Sequence, residues 1–385
     1  MNLSEKLTHT INTDTTPLLL NLSKKEDQKQ LEQLFEKSLI AQVVDTYEDQ
    51  LTELVEIRNP EKAFLENFTE IVQQFIQERS ESLPLWQQGN WAYYSWSQTL
   101  VHILEDDEFQ ECRFNRNHNF ITREEQKIFY NSTIGIAGLS VGNSVALNLA
   151  IEGGAKTIKL ADFDELSITN LNRIRTGVHS LGTAKTTICA RQIYELNPYA
   201  QVIIFDKGMQ EETIDEFYDS PKLDIVIDEL DNLGMKVLMR EKAKEKKIPL
   251  IMATDNGDDG IVDIERHDLE DTEFFGGRIG QISYKDLLHL SKFEIGKYAS
   301  QIIGPENVHS KMLGSLDQLG KTLVSWPQLG GAALLNGAAV AYTARKILTN
   351  APLINGRAMV SLDAILTPKC ALEEELKKRQ ELISK

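Results

Sequence analysis

The chain has 385 residues, with 41 Lys plus Arg against 58 Asp plus Glu and a formal net charge of −17. This length exceeds one ordinary hydrophobic core and predicts two or three regions. So acidic a surface repels phosphate backbones unless a local basic patch intervenes, which argues against nucleic acid as the main partner.

The sequence carries no membrane or disulfide signal. The opening MNLSEKLTHT lacks the basic start and apolar core of a signal peptide, and no uncharged apolar run reaches the ~20 residues of a membrane span. The three cysteines, at positions 112, 189 and 370, include no CxxC pair, which argues against a disulfide framework and a four-thiolate zinc site. We therefore expect a soluble cytoplasmic protein that makes no membrane contact.

Residues 1–112 predict a helical region. Apolar residues recur at helical spacing in LEQLFEKSLIAQVV and FLENFTEIVQQFI. The region ends near an aromatic cluster, which is more typical of packing between a helix and its neighbour than of a ligand-stacking platform. Its members are Trp86, Trp91, Tyr93, Tyr94 and Trp96.

From residue 133 onward, short β-rich runs alternate with amphipathic helical stretches. We predict five strands, TIGIAG, TIKLAD, QVIIFD, LDIVID and IPLIMA, which begin at positions 133, 157, 201, 223 and 248. Continuous apolar strands separated by helices are typical of a parallel sheet covered on both faces. The predicted fold is α/β, a doubly wound, Rossmann-like, mostly parallel sheet preceded by the helical N-terminal region.

The alternation weakens after Asp255. The segment DNGDDG predicts a turn-rich loop, and IVDIER predicts a further strand. Residues 280–325 predict helices and loops, before an Ala/Gly-rich buried helix over 329–348 and a last strand in RAMVSLD.

A glycine-containing loop follows the first of these strands. It contains Gly138, Ser140, Val141 and Gly142, where small residues let backbone amides approach a phosphate at the positive end of a helix. The same spacing also occurs simply to pack a helix on a strand. Asp162 ends the second strand about 20 residues later, where an acidic side chain reaches ribose hydroxyls. A nicotinamide-dependent oxidoreductase would explain all of these features.

Two cations beyond Asp162 favour a nucleoside triphosphate instead. Arg173 and Lys185 follow where a triphosphate would extend from that ribose, and hydride transfer needs no such cations. Guanidinium and ammonium groups neutralise charge on a transferring phosphoryl group and its leaving pyrophosphate. A lone Arg or Lys is, however, more often part of a solvated helix face.

The fourth predicted strand ends in IVIDELDN and brings Asp228 and Asp231 to the same cleft. Mg²⁺ prefers carboxylate and phosphate oxygens with retained waters, so one or two Asp residues suffice. We predict Asp231 as the Mg²⁺ ligand. The alternative is that Asp231 and Asn232 only cap the helix that begins at Leu233.

Taken in order, these elements resemble the signature of the ThiF/MoeB-type adenylyltransferases, relatives of the ubiquitin-activating enzymes. An Arg-rich segment upstream and a Gly-Gly helix with a final strand downstream are also similar, so that the resemblance covers about residues 113–365. The matching residues are Arg113, Arg116, Gln126, Asp162, Asp164, Asn170, Arg173, Lys185, Asp231, Asn232, Pro327–Gly331 and Gly356–Asp363.

The resemblance implies an ATP-binding adenylation domain over 113–275, completed by 276–385, with ATP and Mg²⁺ as cofactors. In it Asp162 holds the ribose, Asn170 and Arg173 contact the phosphates, and Lys185 follows the charge onto the leaving group. Arg116 reaches the neighbouring subunit's site, which implies a homodimer. The glycine loop, Asp164 and Asn232 are further residues of the nucleotide site by the same resemblance.

The sequence departs from the family pattern in several places. The family loop usually reads GxGGxG, and Ser140 and Val141 stand here in place of its middle glycines. Ile174 replaces a glutamine, and both zinc CxxC pairs are absent, which implies a zinc-free, divergent branch. No cysteine occurs between 190 and 369, so a thioester thiol would have to be Cys370, although most free cysteines are packed hydrophobes.

The function expected from these residues is ATP-dependent activation of a carboxylate as an acyl adenylate, with release of pyrophosphate. A carboxylate needs no deprotonation, so positioning and charge stabilisation suffice. By resemblance the substrate is often the C-terminus of a ubiquitin-like or sulfur-carrier protein. A peptide, a small acid or an amino acid on RNA also fits. The alternatives are the oxidoreductase and a non-catalytic scaffold subunit of an activating-enzyme complex.

Overall fold

The computed structural model describes residues 11–384, without the side chains of residues 292 and 293. The segment MNLSEKLTHT, on which the signal-peptide prediction depends, lies outside these residues. The chain forms two compact units, one up to residue 127 together with 190–200, the other containing 128–189 and the residues from 201 onward. Within the described range, no helix combines the length and apolarity that a membrane crossing requires.

The first unit contains a four-stranded sheet in the order β1-β3-β4-β2. Only β2 and β4 run parallel, and the other neighbours are antiparallel. The strands are β1 (Leu18–Leu20), β2 (Gln42–Asp45), β3 (Asn90–Tyr94) and β4 (Thr99–Ile103). The first helices of the chain are α1 (Lys25–Glu36), α2 (Tyr47–Arg58), α3 (Phe68–Ser80), α4 (Asp106–Phe114) and α5 (Arg123–Tyr130), of which α5 contains the boundary between the units.

The prediction of a purely helical N-terminal region is therefore wrong in part. Helices α1 and α3 overlap the two segments of helical spacing, but the sheet was missed. Its strands are three to five residues long, too short for a period of two to stand out, and β2 begins inside the first of these segments. Trp91 in β3 packs on His102, whose ring is stacked between Trp91 and Tyr47 at centroid distances of 4.2 and 4.1 Å.

The second unit contains a seven-stranded sheet in the order β11-β10-β9-β8-β5-β6-β7. The neighbours from β9 to β7 all pair in parallel, whereas β10 and β11 are antiparallel additions. The predicted α/β, mostly parallel sheet is confirmed. Its strands are β5 (Thr133–Ala137), β6 (Thr157–Ala161), β7 (Gln201–Phe205), β8 (Ile225–Asp228), β9 (Leu250–Asn256), β10 (Asp259–Glu265) and β11 (Gly356–Val360).

The segment DNGDDG was predicted as a turn-rich loop, but most of it belongs to the hairpin of β9 and β10. Strand β9 continues through Asn256 and β10 begins at Asp259, so that only Gly257 and Asp258 form the turn. Gly257 adopts a φ of +71°, which a two-residue hairpin favours and glycine tolerates. As a result Asp255 lies within a strand, at its carboxyl end.

Helices cover the sheet of the second unit. Helix α13, the predicted Ala/Gly-rich helix, packs against α6, β9 and β10. A Cβ on Gly337 would lie 2.7 Å from the Cβ of Ser144, so the absence of a side chain there lets α13 and α6 approach closely. The remaining helices of the chain are α6 (Val141–Glu152), α7 (Lys185–Leu196), α8 (Ile214–Asp219), α9 (Leu233–Lys246), α10 (Tyr284–Leu287), α11 (Lys292–Ile303), α12 (Ser310–Leu316), α13 (Gly330–Leu348), α14 (Asp363–Leu366) and α15 (Lys369–Ile383).

The parallel strands place their carboxyl ends at one edge of the sheet. The loops after β5, β6 and β8 and the end of β9 therefore meet there, on either side of the central strand β5. Ligands of open α/β sheets bind beyond this edge. The predicted site residues should therefore lie at this edge of the sheet.

Candidate nucleotide site

The loop after β5 is shaped by Gly138. This glycine has a φ of +89° and donates its N–H to the carbonyl of Ala161 at 2.8 Å. A Cβ there would lie 2.3 Å from the carbonyl oxygen of Glu229, so no other residue fits without a shift of the backbone. Ser140 precedes α6, and its side chain does not cap the amides of the first turn of this helix.

Asp162 organises this loop directly. Its Oδ2 accepts the N–H of Leu139 at 2.6 Å, and its Oδ1 accepts the N–H of Asp164 at 2.8 Å. The side chain is buried at the end of β6. The carboxylate therefore fixes the loop and the following turn, and each oxygen keeps a lone pair for a further donor.

Arg173 reaches the same loop from the segment after β6. Its Nε donates to Oγ of Ser140 at 2.7 Å, and its Nη1 donates to the carbonyl of Thr169 at 3.2 Å. Burial lowers the pKa of Arg173, and the negative charges of Asp255 and Asp231 act against this lowering. The guanidinium thus lies beside the loop with carboxylates near it.

Asn170 lies in the turn Ile168–Asn170, where its Oδ1 accepts the N–H and the hydroxyl of Ser167 at 3.0 and 2.9 Å. It shapes the segment that carries Arg173. The predicted contact of Asn170 with phosphates stays a prediction.

Lys185 begins α7 and is almost fully buried. Its Nζ donates to Oδ2 of Asp164 at 2.7 Å, and its N–H donates to the carbonyl of Asp164. The half-exposed carboxylate of Asp164 is therefore the resting partner of Lys185. Asp162, Asp164, Arg173 and Lys185 belong to one hydrogen-bonded segment around the loop.

Asp228 and Asp231 have different environments. Asp228 is fully buried and forms ion pairs with Lys236 at 3.1 Å and with Arg240 at 2.5 Å. Asp231 is exposed in the loop after β8. Asn232 caps α9, because its Oδ1 accepts the N–H of Met235 at 3.0 Å. Of Asp228 and Asp231, only Asp231 has a carboxylate that solvent can reach. The helix cap that the sequence offered as an alternative role is formed by Asn232.

Sequence reasoning missed Glu229, which directly follows Asp228. Its Oε1 accepts the N–H of Ala253 at 3.0 Å, and its side chain lies against Gly142 of the loop. Burial raises the pKa of the Glu229 carboxyl well above its ordinary value, and Asp228 and Asp255 raise it further against the effect of Lys236. An acidic residue directly after a buried strand was the available signal.

Asp255 is a second missed residue, because the sequence assigned it to a loop. It is buried at the end of β9, and its Oδ1 accepts the Nδ2 of Asn336 at 2.6 Å. Burial raises the pKa of Asp255, while the bond from Asn336 and the charge of Arg173 act in the opposite direction. No local pattern could have shown that α13 supplies its partner.

Arg116 and the three cysteines are the remaining residues that the sequence analysis considered. Arg116 lies in the short turn Asn115–Asn117 of the first unit, and its action on a neighbouring subunit stays a prediction. Burial raises the pKa of Cys112 to about 11 and that of Cys189 to about 12, so neither is an activated thiol. Cys370 is exposed on α15.

Comparison with known proteins finds relatives for the segment that contains these residues. Residues 114–263 match the model of the ThiF family. Over these residues the chain is similar to the ThiF family. Two curated relatives are an uncharacterized protein of Mycobacterium tuberculosis, 38% identical over 277 residues, and the tRNA threonylcarbamoyladenosine dehydratase of Bacillus subtilis, 31% identical over 140 residues.

These matches cover part of each protein. The first includes 72% of this chain and 38% of the mycobacterial protein, and the second includes 36% of this chain and 55% of the dehydratase. The chain thus spans about two fifths of the first relative's length and just over half of the second's. Among solved structures, that of Escherichia coli MccB with ATP is similar with a TM-score of 0.45 and 17% identity, over 68% of this chain and 77% of that one.

Proposed function

We propose that the protein is an ATP-dependent adenylyltransferase that activates a carboxylate as an acyl adenylate. A carboxylate oxygen attacks the α-phosphorus of ATP, a new P–O bond forms, and the bond to the departing pyrophosphate breaks. The observation that carries the proposal is the position of Arg173, whose guanidinium bonds Ser140 in the loop that Asp162 fixes. A nicotinamide enzyme has no need of such a cation.

The residues around the loop supply positioning and charge rather than proton transfer. Asp162 holds the ribose, the amides at the start of α6 and Arg173 hold the phosphates, and Asn170 maintains the turn that presents Arg173. Lys185 leaves Asp164 for the nucleotide and then follows charge onto pyrophosphate. Each of these groups stabilises charge that develops in the transition state, which is where electrostatic catalysis acts.

The donor set is suited to Mg²⁺ that arrives with ATP. Among residues 11–384 no three His, Cys, Asp or Glu side chains converge on a ready-made metal site. Mg²⁺ bound through substrate phosphates needs only one or two carboxylates, and the exposed Asp231 offers one. Asp228 is unsuited because its carboxylate is already paired inside the protein. The ion would neutralise phosphate charge at Asp231.

The substrate and the assembly follow the family resemblance. We propose a carboxylate of a peptide, of a small acid or of the C-terminus of a ubiquitin-like or sulfur-carrier protein as the acceptor. We also propose a homodimer in which Arg116 acts on the partner's site. The net charge of −17 disfavours an acceptor on RNA.

ATP–pyrophosphate exchange with candidate carboxylates tests the activity. We expect Lys185→Ala and Asp231→Ala each to lower exchange by about a hundredfold or more, since each removes charge stabilisation at the transferring phosphoryl group. The matched controls are Lys207→Ala and Asp258→Ala, both at exposed positions outside the loop. They should exchange like the wild type.

Binding and exchange measurements together separate the adenylyltransferase from the two alternatives. An oxidoreductase would bind NAD and not ATP with Mg²⁺, which calorimetry distinguishes directly. A scaffold subunit would show no exchange with any carboxylate. Wild-type exchange that either Lys185→Ala or Asp231→Ala matches would show that the roles assigned here are wrong.

A further inference from the structure

Asp255 and Asn336 form a buried pair with two unsatisfied oxygens. The Nδ2 of Asn336 donates to Oδ1 of Asp255 at 2.6 Å, and the two residues are 8% and 0% exposed. Oδ2 of Asp255 and Oδ1 of Asn336 have no hydrogen-bond partner within the described residues. Both atoms are acceptors, and a buried acceptor without a donor costs about 1–3 kcal/mol.

A single proton would satisfy both oxygens. A proton on Oδ2 turns that oxygen from an acceptor into a donor, and the orphaned amide oxygen of Asn336, on the residue that already bonds Asp255, is an acceptor for it. If the amide were turned over, two acceptor oxygens would face each other, and a proton would again be needed between them. An ionised Asp255 leaves both orphaned atoms unsatisfied.

The fold builds this pair across long distances in the sequence. The cross-strand neighbour of Asp255 is Gly260, and a Cβ on Gly260 would lie 1.8 Å from Oδ1 of Asn336. The absence of a side chain at Gly260 therefore leaves room for Asn336 to reach Asp255. The charge that acts on Asp255 is that of Arg173, from the segment after β6, and Asp255 in turn raises the pKa of Glu229, which follows β8. The only group that α13 contributes to the pair is the amide of Asn336.

We propose that burial beside the orphaned oxygen of Asn336 keeps Asp255 a neutral acid, and that Asp255 thereby acts as a positioning residue, which keeps the charge of Arg173 available to nucleotide phosphates. The part that concerns the nucleotide rests on the proposed function. An ionised Asp255 would compete with the phosphates for Arg173. A neutral one fixes α13 against β9 and leaves the guanidinium cationic and unopposed from that side.

The protonation state can be measured without any nucleotide. In protein labelled with ¹³C at the Asp carboxyl carbons, Asp255→Asn identifies the signal of Asp255. We expect that signal to titrate above the ordinary aspartate value, since burial disfavours the charged form of a carboxyl. A midpoint at or below the ordinary value would overturn the proposal, because the acid would then be ionised in the working enzyme.

The role of Asp255 is measured by ATP affinity as a function of pH. Wild-type affinity should weaken by about three- to tenfold as pH rises through the midpoint of Asp255, because the new carboxylate binds Arg173. Asp255→Asn should abolish this dependence, and the matched hairpin variant Asp258→Asn should keep it. A protonated Asp255 with pH-independent affinity would refute the link to Arg173. Absence of ATP binding would refute the proposed function and leave the titration result standing.

Discussion

At the scale of single residues, the site depends on what each carboxylate is already bonded to. Asp162 accepts two backbone amides, Asp164 pairs with Lys185, and Asp228 pairs with Lys236 and Arg240. These side chains look alike in the sequence. Burial and partners assign one to loop structure, one to a resting ion pair and one to the interior.

Arg173 gives the sharpest test at this scale. Arg173→Lys keeps a positive charge but loses the planar fork that bonds Ser140 and can hold phosphates with two parallel bonds. We expect exchange activity to fall by about tenfold to a hundredfold, mostly through kcat. Pyrophosphate exchange at saturating ATP measures this. Arg175→Lys, an exposed arginine two positions away, is the control. Equal activity of both variants would contradict the assignment.

At the scale of elements, a buried ionic network joins α9 to the sheet under the site. Arg240 of α9 is fully buried, donates to Asp228 of β8 and to Glu265 of β10, and lies 3.7 Å from the ring centroid of Phe275. Burial acts to raise the pKa of both carboxyls, but Arg240 contributes to holding each below its ordinary value. The network connects strands β8 and β10, which are not neighbours in the sheet.

Arg240→Met should destabilise the second unit by about 3–5 kcal/mol at neutral pH, because it leaves two buried carboxylates without their common partner. Urea unfolding measures this. Lys244→Met, on the same helix in an exposed ion pair with Asp271, should change the free energy of unfolding by less than about 1 kcal/mol. If the two variants lost the same stability, the network would not stabilise the fold as described.

The same network predicts an acid dependence. Asp228 and Glu265 have folded pKa values below their ordinary values of 3.8 and 4.5, so below these values the unfolded chain binds more protons than the native one. The contribution of these two carboxylates to the wild-type free energy of unfolding should therefore be fully present above the ordinary pKa values. It should be lost as the pH falls through the folded pKa values. Arg240→Met should show a weaker loss toward acid, because its unpaired carboxyls gain from protonation.

At the scale of the whole molecule, subunit mixing tests the proposed dimer. Arg116→Ala and Lys185→Ala should each be inactive alone, since each lacks one group of the site. If Arg116 acts on the partner subunit, re-equilibrated mixtures form heterodimers with one intact site and recover about a quarter of wild-type exchange. Mixtures that stay inactive, although exchange of subunits is shown by labelling, would place Arg116 on its own subunit's site or outside it.

The sequence by itself determined the parallel part of the seven-stranded sheet and the order of the motifs along it. The apolar strands of the second unit are continuous runs bounded by turns, and the loop glycines, Asp162, Arg173 and Lys185 are local to single connections. Local patterns of this kind are visible because period and turn chemistry depend on neighbours in the chain. They were enough to predict the mostly parallel sheet of the second unit and the similarity to the ThiF family.

Only the tertiary structure decided which groups are partners. The four-stranded sheet of the first unit pairs β2 with β4 across more than fifty positions, and Asn336 reaches Asp255 across 81. Such contacts depend on how elements pack, and no spacing in the sequence encodes them. The same packing buries Asp228 in ion pairs and leaves Asp231 exposed, three residues later. Desolvation and hydrogen-bond partners, which exist only after folding, therefore give each charged residue its role.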